Sequence, residues 1–517
     1  MEGTTKINEE LRPAVRPLEV PQRLLLGPGP SNSHPEVLRA MSLPSLGYLD
    51  PAFIQVLQDI QALLRYVWQT TNETTFCISG TGSAAMEACV ANIVEKNDVV
   101  LVAVCGYFGS RLVDMAERYG GDVRVVNKPW GQAFTLDEIR EALEKHRPRV
   151  FGMVHVETST GVVQPMEGIG SLCREYDSLL LLDTVTSLGG VPVHIDAWKV
   201  DLAYSCSQKG LSASPGASPI TIGPRALEKI RARRGKVPNW YLDISLLEKY
   251  WGPPRQYHHT ASMVCYYGLR EALRVVAAEG ISTCWKRHQE NAAYLHSKLE
   301  ELGLSMHVEK PWRAPTLTTV RIPDGIDGKA LAGRLLVEEG IEIGNGIGDL
   351  AAMAYRRSEP WIGKAALFSG KLGSRLSLFL QPAFLSKGQW HYATIKTIQR
   401  LVHRCVMRKR TTPLPDPSSF FSMALCYYQN DSTPSSPLCH EKTNDAPSGP
   451  LLFHGFALHR KPASSMLPES VKRQSRLAEH PTWHFCICLR FRGRWVSIFQ
   501  STTVGEEACS STSHQRT

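Results

Sequence analysis

No apolar run in this chain approaches the ~20 residues that a membrane-spanning helix needs, so neither a bilayer span nor a membrane partner is expected. The 13 cysteines nowhere adopt the paired spacing of a zinc site, since Cys486-Ile487-Cys488 is too close and has no second pair. Cys77, Cys89, Cys105 and Cys265 lie within apolar runs, as reduced core thiols do, so a reducing compartment and no metal are expected. A basic stripe interleaved with aromatics is also missing. Lys and Arg outnumber Asp and Glu by 58 to 49, a net charge of +9, but the two signs are interspersed over the first 350 positions, which argues against a nucleic-acid partner. The opening residues include Glu2, Glu9 and Glu10 and lack an apolar segment, so neither a secretory signal nor an acid-poor transit peptide is read there. The final Gln515-Arg516-Thr517 is not a peroxisomal tripeptide. What is present is ordinary for a folded protein: 43% hydrophobic and 21% charged residues, at a length of 517 that accommodates a large core and two domains.

The informative stretch is Asp201-Leu202-Ala203-Tyr204-Ser205-Cys206-Ser207-Gln208-Lys209-Gly210, a short buried-strand pattern that ends in small polar residues and one lysine. Ser178-Leu179-Leu180-Leu181-Leu182-Asp183 repeats the design with a carboxylate at the strand's end. Open α/β sheets bind ligands at that edge. A lysine and an aspartate there suit a pyridoxal phosphate site, the lysine as Schiff-base former and the acid holding the pyridinium nitrogen protonated. Taken singly, Lys209 also reads as a surface cation and Asp183 as a helix cap. Residues 75–78 read as a strand leading through Ser79-Gly80-Thr81-Gly82-Ser83 into a helix over 84–94, an arrangement whose unspent N–H groups and dipole favour phosphate. Residues 51–68 show helical spacing of apolar positions. A strand over 98–104, a helix over 136–146, a strand over 150–156 and a return strand over 219–222 continue the alternation.

Asp183-Thr184-Val185-Thr186-Ser187-Leu188-Gly189-Gly190 followed by Ser207-Gln208-Lys209 resembles the class V aminotransferases, and within them the alanine–glyoxylate (serine–pyruvate) type. Leu26-Gly27-Pro28-Gly29-Pro30-Ser31-Asn32, Ser79–Ser83, Ser159-Thr160-Gly161-Val162 and Tyr257-His258-His259-Thr260 fall in the family's order, so the resemblance runs from about Leu24 to about Ile347. It implies an α/β fold of the pyridoxal phosphate fold-type I, aspartate aminotransferase-like: an arm over 1–23, a mostly parallel large domain over 24–280, and a smaller α/β domain over 281–400 whose pattern is disrupted after about 350. Residues 401–517 have no family counterpart and are expected to form a largely disordered tail.

The same resemblance assigns roles. Lys209 and Asp183 are the catalytic pair; Thr81, Gly82 and Ser83 hold the cofactor phosphate; Phe108 and Val185 sandwich the pyridine ring; Thr158 reaches the phenolic oxygen, and Gln208 is a further cofactor contact. Tyr257 and Thr260 reach the phosphate of the neighbouring subunit, which implies a homodimer with shared sites, although Thr260 also reads as a plain helix N-cap. Gly27 lies in a loop at the mouth of the site, near substrate. The family's substrate-carboxylate arginine has its best counterpart in Arg375, with Arg356 and Arg357 as alternatives. The implied activity is ping-pong transamination of alanine or serine with glyoxylate or pyruvate. The implied location is peroxisomal, with cytoplasm or mitochondrion as alternatives. Two rivals stand beside it: an interaction protein of this fold without catalysis, and a lyase or cysteine desulfurase, for which Cys206 is the nearest thiol.

Overall fold

The computed structural model describes residues 8–323 and 326–347, together with the backbone of 375–378, 483–491 and 494–502. Its centre is a seven-stranded sheet in the order Thr74–Ser79, Ala217–Ile222, Leu202–Tyr204, Leu179–Asp183, Val150–Val154, Val99–Val104, Asp122–Asn127. Ala217–Ile222 runs antiparallel to both neighbours, and every other pairing is parallel. The Leu179–Asp183, Val150–Val154 and Leu202–Tyr204 strands are buried along their whole length, which is why they read as unbroken apolar runs rather than alternating ones. Because six strands point the same way, their C-terminal ends deliver Ser79, Val104, Val154, Asp183 and Tyr204 to one edge of the sheet.

Helices cover this sheet. Pro51–Trp68 is capped by Asp50, whose side chain accepts from Ala52 N at 2.7 Å, and it ends at Gln69 in the left-handed region with φ 52°. Phe53, Leu57, Ile60, Leu64, Val67 and Trp68 form its buried stripe, and Phe53 packs beside Tyr266 and Tyr267 of the helix Met263–Glu279. At the stripe's end Trp68 Nε1 donates to Thr184 Oγ1 at 3.2 Å, which pins the residue following Asp183.

Several elements depart from the sequence expectations. The helix after the Gly-rich loop spans Gly82–Ile93, starting two residues earlier than read, so Gly82 and Ser83 are themselves helical. The helix Tyr107–Arg118 and the strand Asp122–Asn127 have no counterpart in the sequence reading; the strand sits at the sheet's edge and is half exposed, and Asp122, Arg124 and Asn127 break its valines into no continuous apolar run. Ser262, not Thr260, occupies the N-cap position of Met263–Glu279, and Thr260 is exposed.

Residues Leu24–Leu26, expected to open the large domain, instead join the C-terminal part. Leu24 and Leu25 pair in parallel with Ile341 and Glu342, and Leu26 packs with Leu295, Leu299, Val320 and Ile343. Thr318–Arg321, Arg375–Leu378 and Gly344–Asn345 form a three-stranded sheet with Arg375 opposite Arg321. Trp483–Phe491 and Arg494–Thr502 pair as an antiparallel hairpin, so the expected tail contains regular backbone; the rest of residues 401–517 lies outside the described residues.

Phe151 lies fully buried mid-sheet, opposite Leu101 on one side and Leu180 on the other. Phe151→Ala is expected to lower stability by about 3–5 kcal/mol through lost burial and a cavity, read as a lower urea midpoint at unchanged slope; a loss under about 1 kcal/mol would contradict the packing.

Candidate active site

Lys209 follows the Leu202–Tyr204 strand in a turn strapped to the Gly-Pro loop near the N-terminus. Its Nζ donates to Pro28 O, while Ser31 donates through N to Gln208 O at 3.0 Å and through Oγ to Lys209 O at 3.1 Å. Gly29 has φ +119°, and a Cβ there would stand 2.8 Å from Lys209 Cε, so the loop approaches the lysine as only glycine allows. The strap is formed by Pro28, Gly29 and Ser31. Gly27, the expected substrate contact, instead faces the backbone of Gly344 and does not line the cavity.

Asp183 is 3% exposed and has two donors: Val185 N to Oδ1 and Tyr204 Oη to Oδ2, both at 2.8 Å. Burial raises its pKa to about 7 against the pull of those donors. Glu157, also buried, accepts from Phe108 N at 3.2 Å, Gly109 N at 3.2 Å, Ser159 N at 3.0 Å and Ser159 Oγ at 2.7 Å. Burial still leaves its pKa above the ordinary value, and it occupies the start of the Tyr107–Arg118 helix, where the orphan N–H groups favour an anion. Lys209 shifts downward because burial disfavours its charged form, opposed by Cys206, Asp183 and Glu157.

Lys209 and Asp183 line a cavity of ≈ 280 Å³, with Glu157 behind its wall at Phe108. Thr81, Gly82 and Ser83 line it at the beginning of the Gly82–Ile93 helix, whose N-cap Thr81 makes no side-chain capping bond. Phe108, Thr158, Asp183, Val185, Gln208 and Lys209 line it as well, so nine of the sequence-derived candidates meet in one place. Thr158 Oγ1 shares a short hydrogen bond with Thr186 Oγ1. Gln208 Oε1 is buried with no hydrogen-bond partner among the described residues. The arrangement can accept a flat ligand bearing a phosphate at one end and a basic ring nitrogen at the other. Among the described residues no His, Cys, Asp and Glu side chains converge as a metal would require.

Tyr257 and Thr260 do not line the cavity; both are exposed, and the Tyr257 ring lies 4.8 Å from that of Tyr48. Arg375 is described only by its backbone, and Arg356 and Arg357 lie outside the described residues. Three further residues escaped the sequence reading: Arg111, which lines the cavity, and Glu157 and Tyr204, which hold its neighbours. Arg111 had a signal, its position three residues after Phe108 on an amphipathic segment, whereas Glu157 and Tyr204 acquire their roles only through contacts distant in sequence.

Aminotransferase class-V is the family that matches residues 25–360, well over half of the sequence. The chain belongs to this family. It is similar to the alanine–glyoxylate aminotransferase of Drosophila melanogaster, 44% identical over 66% of this chain and 88% of the relative. Among solved structures, a Nostoc alanine–glyoxylate aminotransferase is 56% identical, with a TM-score of 0.71 over 78% of this chain and all of that one. The ureidoglycine–glyoxylate aminotransferase of Bacillus subtilis is 34% identical, with a TM-score of 0.69 over 77% of this chain and 96% of that one. The class V matches extend over the whole cavity-lining set, so the convergence of Lys209, Asp183 and the Gly82 helix belongs to a fold-type I aminotransferase architecture.

Beside the Gly-rich loop two buried histidines form a directed chain. His258 Nε2 faces Trp240 O at 3.4 Å and carries the proton, so its Nδ1 accepts from His259 Nδ1 at 2.9 Å, and His259 Nε2 accepts from Ser79 Oγ at 2.8 Å. Burial keeps both rings neutral at pH 7, holding His258 below its ordinary value and lowering His259 to about 4. A histidine depressed on folding binds protons more readily unfolded, so stability present above pH ~6.5 is lost as pH falls toward the folded value. The expected loss between pH 7.5 and pH 5 is about 1–2 kcal/mol from this ring alone. His259→Gln should shallow the drop in melting temperature over that range, and an unchanged pH slope would refute the neutral pair.

Proposed function

We propose that this chain is a pyridoxal 5'-phosphate-dependent transaminase that moves an amino group from alanine or serine to glyoxylate or pyruvate. With alanine and glyoxylate the products are pyruvate and glycine. The observation that carries the reading is that Lys209, Asp183 and the Thr81–Ser83 loop, far apart in sequence, line one cavity. The residues present fit the cofactor: a buried carboxyl for a protonated ring nitrogen, uncapped helix N–H groups for a phosphate, and the orphan Gln208 Oε1 as a further polar contact. When bound, the cofactor supplies an electron sink for negative charge at the substrate α-carbon.

Lys209 would be its point of attachment, and the lysine's neutral amino group would carry the proton at the substrate α-carbon. Burial helps, since a lowered lysine pKa enlarges the neutral fraction that acts as base. Asp183 would hold its partner by charge, and Tyr204 and Val185 fix the carboxylate's orientation. Arg375 is our candidate for the substrate carboxylate. Glyoxylate as acceptor is supported by the three relatives above, each named for it.

A desulfurase or lyase reading would use Cys206. Burial pushes that thiol up to about 12, the wrong direction for a sulfur nucleophile at neutral pH. An inert interaction protein would bind cofactor without turnover. Amino transfer from L-alanine to glyoxylate, followed as pyruvate, separates the two. Lys209→Ala is expected to reduce that rate by ~10²–10⁴-fold or more, and Asp183→Asn by a lesser but large factor. Near-normal turnover by Lys209→Ala would sink the assignment, as would bound cofactor with no turnover in the unaltered chain.

The exposure of Tyr257 and Thr260 supports a homodimer in which each subunit completes the other's phosphate site. Neither Lys209→Ala nor a Tyr257→Ala/Thr260→Ala double variant should be fully active alone. Mixed and reassembled at limiting cofactor, they should regain activity above the sum of the two, because one site of each hybrid is intact. Absence of that gain would count against the shared site.

A further inference from the structure

Arg111 is a half-buried guanidinium on the cavity wall, one turn along the Tyr107–Arg118 helix from Phe108. Among the described residues no carboxylate lies within ion-pair distance of it, while its neighbour Arg118 on the same helix is paired with Asp114. Its central carbon sits 4.8 Å from the Phe108 ring centroid and 5.3 Å from that of Tyr107, so the cation lies over both rings. Nη1 donates to Ser83 Oγ at 3.1 Å. Ser83 is the second residue of the Gly82–Ile93 helix and lines the same cavity. A guanidinium cannot accept, so the Ser83 hydroxyl must spend its own hydrogen elsewhere, and accepting from a cation strengthens that hydroxyl as a donor.

Building on the reading above, we infer that Arg111 is a positioning residue that makes this site select a phosphorylated cofactor: it orients the Ser83 hydroxyl as a donor to the phosphate and supplies the positive charge behind it. An arginine with no acid beside it among the described residues, lying over aromatic rings and bonded to the start of a helix, is arranged for an anion rather than for surface solubility. Asp183, the acid that lines the cavity, and Glu157, behind its wall, are each held by their own N–H and O–H donors and leave Arg111 available for that role.

The test compares pyridoxal 5'-phosphate with pyridoxal, which lacks the phosphate. Dissociation constants for both are measured on the full chain stripped of cofactor, for the unaltered protein and for Arg111→Gln, Arg111→Lys, Ser83→Ala and the Arg111→Gln/Ser83→Ala double variant. Arg111→Gln is expected to weaken pyridoxal phosphate by ~10–100-fold, the range of a hydrogen bond to a charged group, while moving pyridoxal by less than about twofold. Arg111→Lys should recover part of the loss. The double variant should fall well short of the product of the two singles, because both act through one hydroxyl. Equal weakening of both ligands would reduce Arg111 to a structural role and overturn the inference. So would unchanged cofactor binding with a raised KM for glyoxylate, which would assign Arg111 to the substrate carboxylate. Either result leaves the transaminase reading standing, whereas failure of the unaltered chain to bind either ligand would defeat both.

Discussion

A carboxyl group buried with only two hydrogen-bond donors is an unstable solution unless something cationic comes to it, and Asp183 is such a group. Val185 N and Tyr204 Oη satisfy part of its acceptor capacity, yet burial still raises its pKa to about 7. An isolated apolar sheet edge would be better served by an asparagine or a threonine there. The carboxyl makes sense as the partner of a basic ring nitrogen whose proton it keeps in place. Much of the surrounding fold holds it fast: Leu179–Leu182 fix the strand, Trp68 clamps Thr184, and Tyr204 arrives from the adjacent parallel strand at the register that pairs it with Asp183.

Charge around the cavity is held by backbone and hydroxyl donors placed for it. Glu157 is spent on the first turn of the helix that carries Phe108 and Arg111, so a buried acid orders the wall that faces the ligand. Lys209 is held by a backbone carbonyl of the Gly-Pro loop. That loop is anchored on its other side, where Leu24–Leu26 join the C-terminal strands, so any shift of the C-terminal part relative to the sheet would be felt at the lysine. The connection links packing far from the cavity to the geometry of the reacting group.

Much of this was legible in the sequence because the cavity is built at strand ends, and strand ends are where apolar runs stop. Pro51–Trp68 matches its expected bounds residue for residue, and the strand Leu179–Asp183 lies within the expected Ser178–Asp183 run, since both patterns are unambiguous over their length. The Tyr107–Arg118 helix is hidden in the sequence because Gly106 and Gly109 punctuate its start and read as a loop; Glu157 supplies from a distance the cap that the local sequence lacks. Gly27 and Gly29 are indistinguishable in the sequence as near-identical Gly-Pro steps, and only the φ of +119° and the approach to Lys209 single out Gly29. The pairing of Leu24 and Leu25 with Ile341 and Glu342 is not legible in the sequence, because the partners lie over 300 positions away and no local pattern encodes it.

One physical cause sorts the reactive groups of this edge into different roles. Burial disfavours whichever form is charged, so it moves acids and bases in opposite directions. It lowers Lys209, making the neutral amine more accessible, and raises Asp183 toward neutrality, so that the carboxylate is fully stabilised only when a cation arrives. The same burial silences Cys206, three residues before the lysine, by pushing its thiol up to about 12. A site wet enough to give a reactive thiolate at that position would leave Lys209 protonated and Asp183 content without a partner. The dryness that makes amine chemistry possible here is therefore what removes sulfur chemistry, and that choice is made by the apolar strands beneath the cavity rather than by any residue in it.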